Sequence, residues 1–269
     1  MTERNLTGSR LNATVTGTRP RVQTSINPQG QGMTTSAGLR PVIDRPLKRD
    51  PIEFTPELRA ELRAKLDAGL SEMRINATDA QKNTLIESLA FLNEWNAVIN
   101  LTAIRDPHDQ LAQHILDSLS VLYCIPKEAT TLLDVGSGGG FPALPIAVMR
   151  PDLEVVAVDS VRKKTDYLAK AATHLDIGNL SAIHTRVEEH PVTYDVVISR
   201  AYASLKDFVA SAEHCLVEDD ESLMLAMKGK TPNEEISDLA GTGWVVDRKR
   251  ALTVPFLEAE RCLIWLERA

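Results

Sequence analysis

An apolar run that leads directly into a cluster of glycines constrains this chain more than any other feature. Residues 131–135 read as a buried strand, four of the next five residues are glycine, and Pro142 then opens a helix. Glycine allows a tight turn and leaves bare amides at the helix start, where they can face a nucleotide-like ligand. A flexible glycine connection is the alternative, but the flanking strand and the proline-started helix argue against it.

The spacing of the glycines narrows the choice of ligand. The segment reads G-x-G-x-G and follows an acid, whereas dinucleotide-binding folds use G-x-G-x-x-G. This spacing favours S-adenosylmethionine, and the residues that we expect to bind it here are Asp134, Gly136 and Gly138. Short glycine motifs also match by chance, so the rest of the chain has to agree.

From residue 131 onward, short apolar runs alternate with helical patterns, which is typical of a parallel sheet covered on both faces. The pattern predicts strands at 131–135, 154–159, 180–184, 195–198 and 222–226, with helices at 142–149, 162–175, 205–215 and 233–239. Two further strands, 244–252 and 261–266, have no helix between them and predict an antiparallel pair that closes the sheet. Residues 126–269 therefore predict an α/β fold, Rossmann-like and of the class I methyltransferase type, whereas a nicotinamide-binding sheet would continue with parallel crossovers.

The first 50 residues have a composition of their own. They are rich in Thr, Ser, Gly, Gln, Asn and Arg, and they carry eight basic and three acidic residues, a balance of +5. Because the whole chain has a net charge of −7, the remainder carries −12. So few large apolar residues cannot offset the entropy of ordering, which predicts a disordered basic tail. An organelle transit peptide is a second, less favoured interpretation.

Residues 51–125 predict a helical extension that precedes the sheet. A Thr-Pro pair at Thr55 starts the first helix, which we expect to end near Gly69. A capping box at 78–81 starts the second helix, and leucine spacing predicts a third at 109–122.

Composition excludes several classes of protein. The three cysteines are far apart and lack metal-site spacing, so we expect no metal and a reducing cytoplasmic setting: Cys124, Cys215 and Cys262. The longest apolar run has about seven residues, against roughly 20 for a spanning helix, so no membrane association is expected. We expect a monomer.

Two segments beyond the glycine loop could complete a nucleoside site. The second strand ends at Asp159, 25 positions after Asp134, where a carboxylate can accept both ribose hydroxyls. Capping of the following helix is a second role for Asp159, and it can coexist with binding. Val187 and Glu188 follow the third strand, where main-chain groups could read the adenine edge, although a solvated loop is the plainer interpretation.

Arg200 and Tyr202 follow the fourth strand, at the sheet edge where open α/β folds place their ligands. An arginine there can pair with a carboxylate or a phosphate, and a surface ion pair is the competing interpretation. Tyr202 could stack on a substrate base or pack under the sheet edge. These two residues are the catalytic candidates.

Other polar residues admit two interpretations each. The basic residues at 162–164 and 228–230 follow strand ends on the same predicted edge, and could form a phosphate-binding rim or simply a solvated face. His114 and Asp117 lie three apart on one predicted helix face, where a structural hydrogen bond is favoured over catalysis.

The chain resembles the bacterial small-subunit ribosomal RNA guanine-N7 methyltransferases, also called the glucose-inhibited division protein B family. The match covers about residues 85–269 and includes several motifs in order: NLTAI at 100–104, HILDSL at 114–119, the glycine loop, VDS at 158–160, RVEE at 186–189 and SRAYASL at 199–205. The resemblance implies S-adenosylmethionine as cofactor, with contacts at Gly136, Phe141, Val187, Glu188 and Arg200 and with Asp159 at the ribose. Departures are Tyr202, where family members often have Phe, and the basic tail.

The resemblance also implies a partner and a mechanism. The partner would be 16S ribosomal RNA or the small ribosomal subunit. Guanine N7 carries a free lone pair at neutral pH, so methyl transfer to it needs alignment rather than a general base. In A-form RNA this atom faces a groove that proteins cannot enter, so the target must be unpaired or splayed out. Alternatives are a methyltransferase for a small molecule or protein, a non-catalytic RNA-binding assembly factor, and a nicotinamide oxidoreductase.

Overall fold

The fold is built on a seven-stranded sheet in the computed structural model of this chain, which describes residues 50–269. The strands are β1 (Thr131–Val135), β2 (Glu154–Asp159), β3 (Leu180–His184), β4 (Val196–Arg200), β5 (Leu223–Lys228), β6 (Trp244–Leu252) and β7 (Arg261–Arg268). They lie in the order β3-β2-β1-β4-β5-β7-β6. The first five pair in parallel, and β7 runs antiparallel to both of its neighbours. The predicted class I methyltransferase fold is confirmed. The predicted tail, apart from Asp50, lies outside the described residues.

Helices cover both faces of this sheet. Those that follow the strands are α5 (Ala143–Met149), α6 (Arg162–His174), α7 (Leu205–Ala212) and α8 (Asn233–Ser237). Neighbouring strand residues point to opposite cores, since Leu132 belongs to one apolar cluster and Leu133 to the other. The strand order reverses at β1, so the carboxyl ends of β1 and β4 form the crevice where folds of this kind bind ligands.

Two helices of the predicted extension form as their caps indicate. They are α1 (Pro56–Glu72) and α2 (Asp79–Asn96). The side chain of Thr55 accepts from the amide of Leu58, and both bonds of the capping box at 78–81 are present. Helix α1 continues three residues past the predicted end, because Gly69 is buried within it rather than placed at its terminus.

The third helix differs from the continuous helix predicted at 109–122. It consists of α3 (Pro107–Gln110), a π-helical segment (Leu111–Leu116) and α4 (Asp117–Leu119), with a 3-10 turn (Leu122–Cys124) after it. The amide of Asp117 donates to the carbonyl of Ala112, five residues earlier. Leucine spacing does not reveal such a widened turn, and π-helical turns occur often at functional sites.

The helical extension and the sheet share one apolar core. Residues of α1 and α2 belong to the same buried cluster as β1 and α5. The side-chain amide of Gln81 donates to the carbonyl of Val148 at 3.0 Å, and the rings of Phe91 and Tyr167 lie 5.8 Å apart. The division of the chain at residue 125 stays a prediction.

Strand β6 forms an edge of the sheet. Its exposed centre carries charged side chains, and a register shift separates Val246 from Arg248. The guanidinium of Arg248 lies 4.2 Å from the ring of Trp265 on β7. Among the described residues, no helix is both long enough and apolar enough to span a membrane.

Candidate functional site

The glycine loop turns sharply at the tip of β1. The φ angle of Gly136 is +72°, in the left-handed region, and its amide donates to the carbonyl of Val158 at 2.9 Å. A Cβ atom at this position would lie 2.5 Å from the ring of Tyr202. Position 136 therefore requires glycine for both its backbone angle and its close approach to Tyr202.

Two cavities open at the carboxyl ends of the strands and meet at the glycine loop. One, of about 270 Å³, lies beside β2 and is lined by the Asp159, Val187, Glu188 and Tyr202 regions. The other, of about 460 Å³, lies between the glycine loop and the helical extension, and Phe141, Arg200 and Arg261 contribute to its wall. Gly136 and Ala201 line both cavities. An elongated ligand that spans both would therefore cross the glycine loop at Gly136.

Asp159 connects the glycine loop to helix α6. Its side chain is buried, and its two oxygens accept from the amides of Gly138 at 3.0 Å and Val161 at 2.8 Å. Lys164 lies 3.4 Å away. Val161 precedes α6, and no side chain caps the first turn of that helix, so the predicted helix-capping role of Asp159 is wrong. Because each carboxylate oxygen has two lone pairs, the group can still accept ribose hydroxyls in the 270 Å³ cavity.

Val187 and Glu188 lie where the sequence placed them, after the third strand. They lie in a 3-10 turn (Val187–Glu189) that follows β3 and lines the same cavity as Asp159. Val187 is buried and Glu188 is exposed. This turn gives the cavity an apolar wall beside main-chain groups.

Asp134 occupies a different environment. Its side chain is fully buried, its Oδ2 accepts from the amide of Ala143 at 3.2 Å, and its Oδ1 has no partner among residues 50–269. Burial raises the pKa of this carboxyl to about 7. It lines neither cavity and supports the start of α5 from below, so a direct cofactor contact stays a prediction.

Arg200 shares a buried carboxylate with a second arginine. Its Nη1 donates to Oδ2 of Asp117 at 3.0 Å and to the carbonyl of Gln113 at 2.9 Å. The other oxygen of Asp117 accepts from Nε of Arg261 at 3.0 Å. The guanidinium of Arg200 also lies 5.5 Å from the ring of Phe141. The competing ion pair is thus present, and the net positive charge of the cluster faces the larger cavity.

The sequence did not identify Arg261 or Gln113 as residues of the site. Arg261 is separated by 144 residues from Asp117, so only the pairing of β7 with β5 brings it to the site. Gln113 contributes a main-chain carbonyl from the π-helical segment, for which the side-chain pattern gives no signal.

His114 makes the expected structural hydrogen bond, but not with Asp117. Its Nε2 lies 2.8 Å from the hydroxyl of Thr102, and its ring stacks on Phe141 at 4.6 Å. Asp117 is engaged with the two arginines instead. Burial, together with the charge of Arg200, lowers the pKa of His114 to about 3, so the imidazole is neutral at pH 7.

Tyr202 lies over Gly136 at the junction of the cavities. It is 37% exposed, and its ring meets that of Phe208 edge-on at 6.3 Å. The preceding residue, Ala201, has a φ of +51°. The ring therefore packs at the sheet edge and remains accessible, so stacking on a base stays a prediction.

The basic residues that were predicted to form one phosphate-binding rim lie in two separate places. Lys228 Nζ donates to the carbonyl of Ala203 at 2.6 Å and to Glu235 at 2.8 Å, while Lys164 faces Asp159. These two lysines have intramolecular partners and line different cavities. The expectation that these basic residues form one continuous phosphate-binding rim is therefore wrong.

The residues present fit S-adenosylmethionine better than a metal ion. A glycine without a side chain, a carboxylate with accepting capacity and an apolar turn line the smaller cavity, as a nucleoside requires. Within the described part of the chain, no group of three His, Cys, Asp or Glu residues could hold a metal.

Comparisons with known proteins identify a family that this chain resembles. A sequence model of the GidB family, described as rRNA small subunit methyltransferase G, matches residues 81–264. A ribosomal RNA small subunit methyltransferase G from Burkholderia ambifaria is 44% identical over 213 residues, covering 77% of this chain and 92% of that protein. The protein of the same name from Bordetella pertussis is 41% identical over 224 residues, covering 80% and 96%.

Solved structures are more distant. A SAM-dependent methyltransferase from Aquifex aeolicus superimposes with a TM-score of 0.47 at 17% identity, covering 60% of this chain and 93% of that one. A ribosomal protein L11 methylase from Lactobacillus delbrueckii gives a TM-score of 0.45 at 17% identity, covering 57% and 76%.

Proposed function

This chain belongs to the GidB family, rRNA small subunit methyltransferase G, and from that premise we propose that it methylates N7 of a guanine in 16S ribosomal RNA. The observation that carries the proposal is the pair of cavities that meet at Gly136. One suits the nucleoside of S-adenosylmethionine and the other adjoins the point where its methyl group would be presented. Such a junction allows two ligands to be held in line.

The smaller cavity would hold the cofactor's nucleoside. Asp159 would accept the ribose hydroxyls while its existing bonds keep the glycine loop in place. Val187 and Glu188 would border the adenine, and the methionine part would pass Gly136 beside the ring of Tyr202 to reach the larger cavity. When bound, S-adenosylmethionine supplies an electrophilic methyl group on a sulfonium.

Catalysis on N7 depends on position rather than proton transfer. The lone pair of N7 needs no base, so the protein has to align the acceptor and exclude water. The wall of the larger cavity is suited to this, because His114 is neutral and fixed while the arginine cluster is positive. Phe141, packed between His114 and Arg200, makes that wall rigid.

The two catalytic candidates would act on the ligands directly. Arg200 would hold either the methionine carboxylate or an RNA phosphate, since its guanidinium lines the larger cavity. If S-adenosylmethionine binds Arg200→Ala with unchanged affinity while methylation is lost, the carboxylate role is excluded. Tyr202 would stack on the base, and normal RNA turnover by Tyr202→Ala would exclude that role.

The substrate is an unpaired guanine, presented by naked 16S RNA or by the small subunit. The basic residues of the first 50 positions would attract RNA to a body that carries −12. We further place the protein in the cytoplasm, as a monomer. The relatives do not support the alternatives of a small-molecule methyltransferase or a non-catalytic assembly factor, and mapping of 7-methylguanosine tests both.

The test is to map 7-methylguanosine in 16S RNA after incubation of unmethylated small subunits with the protein and S-adenosylmethionine. We expect one modified guanine with the wild type. Asp159→Ala should bind the cofactor at least about tenfold more weakly, the effect of losing hydrogen bonds to a charged group. Asp166→Ala, which removes an exposed carboxylate from the neighbouring helix α6, should behave as wild type. Cofactor binding without any 7-methylguanosine would overturn the proposal.

A further inference from the structure

The segment that follows β4 is held in place by Lys228, which borders the larger cavity, and by Glu235, which lines neither cavity. Lys228, at the end of β5, donates to the carbonyl of Ala203 at 2.6 Å. Glu235, on α8, accepts from Lys228 Nζ at 2.8 Å and from the amide of Leu205 at 2.8 Å. One carboxylate oxygen thus connects β5 to the start of α7, and the segment 201–204 is held at Ala203 and at the adjoining amide of Leu205.

This segment has to be held because of its conformation. Ala201 adopts a φ of +51°, which is unfavourable for any residue with a side chain. Such a residue keeps its conformation only when surrounding contacts impose it, and such residues cluster at ligand sites. The next residue is Tyr202, whose ring covers Gly136 where the cavities meet. The position of that ring therefore depends on the attachments at residues 203 and 205.

Helix α8 is attached both by Glu235 and by Ile236, which packs against the apolar cluster that contains Leu133. It has five residues, and none of them is buried. Lys228 and Glu235 themselves are shielded, with 14% and 32% of their side chains exposed. This ion pair is partly shielded from water, and it also hydrogen-bonds the carbonyl of Ala203 and the amide of Leu205. Its geometry is therefore more favourable than that of an ordinary surface ion pair. The polar contact therefore links α8 to the strand ends in addition to the packing of Ile236.

We propose that Glu235 is a positioning residue, which acts through Lys228 and the amide of Leu205 to hold Tyr202 at the junction of the two cavities. Glu235 lines neither cavity, so it acts on the ligand through Lys228 and the segment 201–204. The inference rests on the proposed binding of S-adenosylmethionine across this junction.

The test compares Glu235→Gln and Glu235→Ala with Glu234→Gln, an exposed neighbour on the same helix that undergoes the same change of charge. The full chain is titrated by calorimetry with S-adenosylhomocysteine, the demethylated cofactor. We expect affinity to fall about threefold for Glu235→Gln and about tenfold for Glu235→Ala, with no change for Glu234→Gln. Hydrogen exchange at the amide of Leu205 should accelerate in the two Glu235 variants only.

A second pair of variants separates positioning from general stability. If Glu235 acts through the ring of Tyr202, Glu235→Ala should have no further effect on affinity in a Tyr202→Ala chain, because coupled residues are not additive. The same loss of affinity with and without Tyr202 would overturn the proposal, as would unchanged affinity in both Glu235 variants. Failure of the wild type to bind S-adenosylhomocysteine would instead refute the cofactor site itself.

Discussion

Acidification from pH 7 to pH 5 is expected to destabilise the folded chain through His114 by about 2 kcal/mol. The pKa of His114 is about 3 in the folded chain, because its ring is buried and lies near the charge of Arg200. In the unfolded chain the pKa is about 6.5. Between these values the unfolded state binds a proton that the folded state does not, so stability falls as the pH falls.

The magnitude follows from the distance between pH 5 and the unfolded pKa. That distance is about 1.5 units, and each unit corresponds to about 1.36 kcal/mol, which gives about 2 kcal/mol. The folded pKa has little influence on the result, since pH 5 lies well above it.

Urea unfolding at pH 7 and pH 5 measures this effect. The variant His114→Gln keeps a hydrogen-bonding group beside Thr102 but does not titrate. With a slope of about 3 kcal/mol/M, the wild-type midpoint should fall about 0.7 M more than that of the variant. His184→Gln, which changes an exposed histidine, should follow the wild type. Equal shifts in the wild type and His114→Gln would refute a neutral, buried imidazole.

Two other substitutions have definite expected outcomes. Asp134 contributes to the pH dependence of stability with the opposite sign, because burial raises the pKa of its carboxyl to about 7 in the folded chain. The stability that this group contributes is therefore lost as the pH rises toward 7 and gained as the pH falls to 5. Asp134→Asn should remove this gain of about 2 kcal/mol between pH 7 and pH 5 in the same urea assay. Gly140→Ala places a side chain at a φ of +86°, with its Cβ 2.6 Å from Leu168, and should cost about 1–2 kcal/mol and lower Tm by about 2–8 °C in calorimetry. Gly178→Ala, in open space, is the matched control, and an equal Tm for the two alanine variants would contradict the second expectation.

The first and last residues of a strand could be predicted where turn-forming residues flank it. The bounds of β1, β2 and β3 match the prediction, since glycine, proline or polar turns flank each run. Strands β4 and β5 each extend two residues further than predicted, to Arg200 and Lys228. In the sequence, a charged residue at the end of an apolar run indicates a loop. In the structure, Arg200 pairs with Met227 of the neighbouring strand, so β4 continues to that residue.

The site was predictable where its residues follow strand ends and unpredictable where distant segments meet. Asp159, Val187 and Glu188 line one cavity because the carboxyl ends of parallel strands share an edge. The contact between Arg261 and Asp117 depends on the register of β7 against β5, which periodicity does not encode. The part played by Lys228 was misread, because a lysine at a strand end looks like a solvent-facing cation until its carbonyl and carboxylate partners are known.

The charged edge strand has a consequence for how the purified protein should be handled. Residues 247–250 of β6 are exposed and include three cations against one acid. Two molecules that approached through this edge would bring like charges together, which discourages the strand addition that leads to aggregates. Repulsion of this kind acts over about 10 Å at 0.1 M salt but only about 3 Å at 1 M. Concentrated stocks should therefore stay clear longest in buffers of low ionic strength.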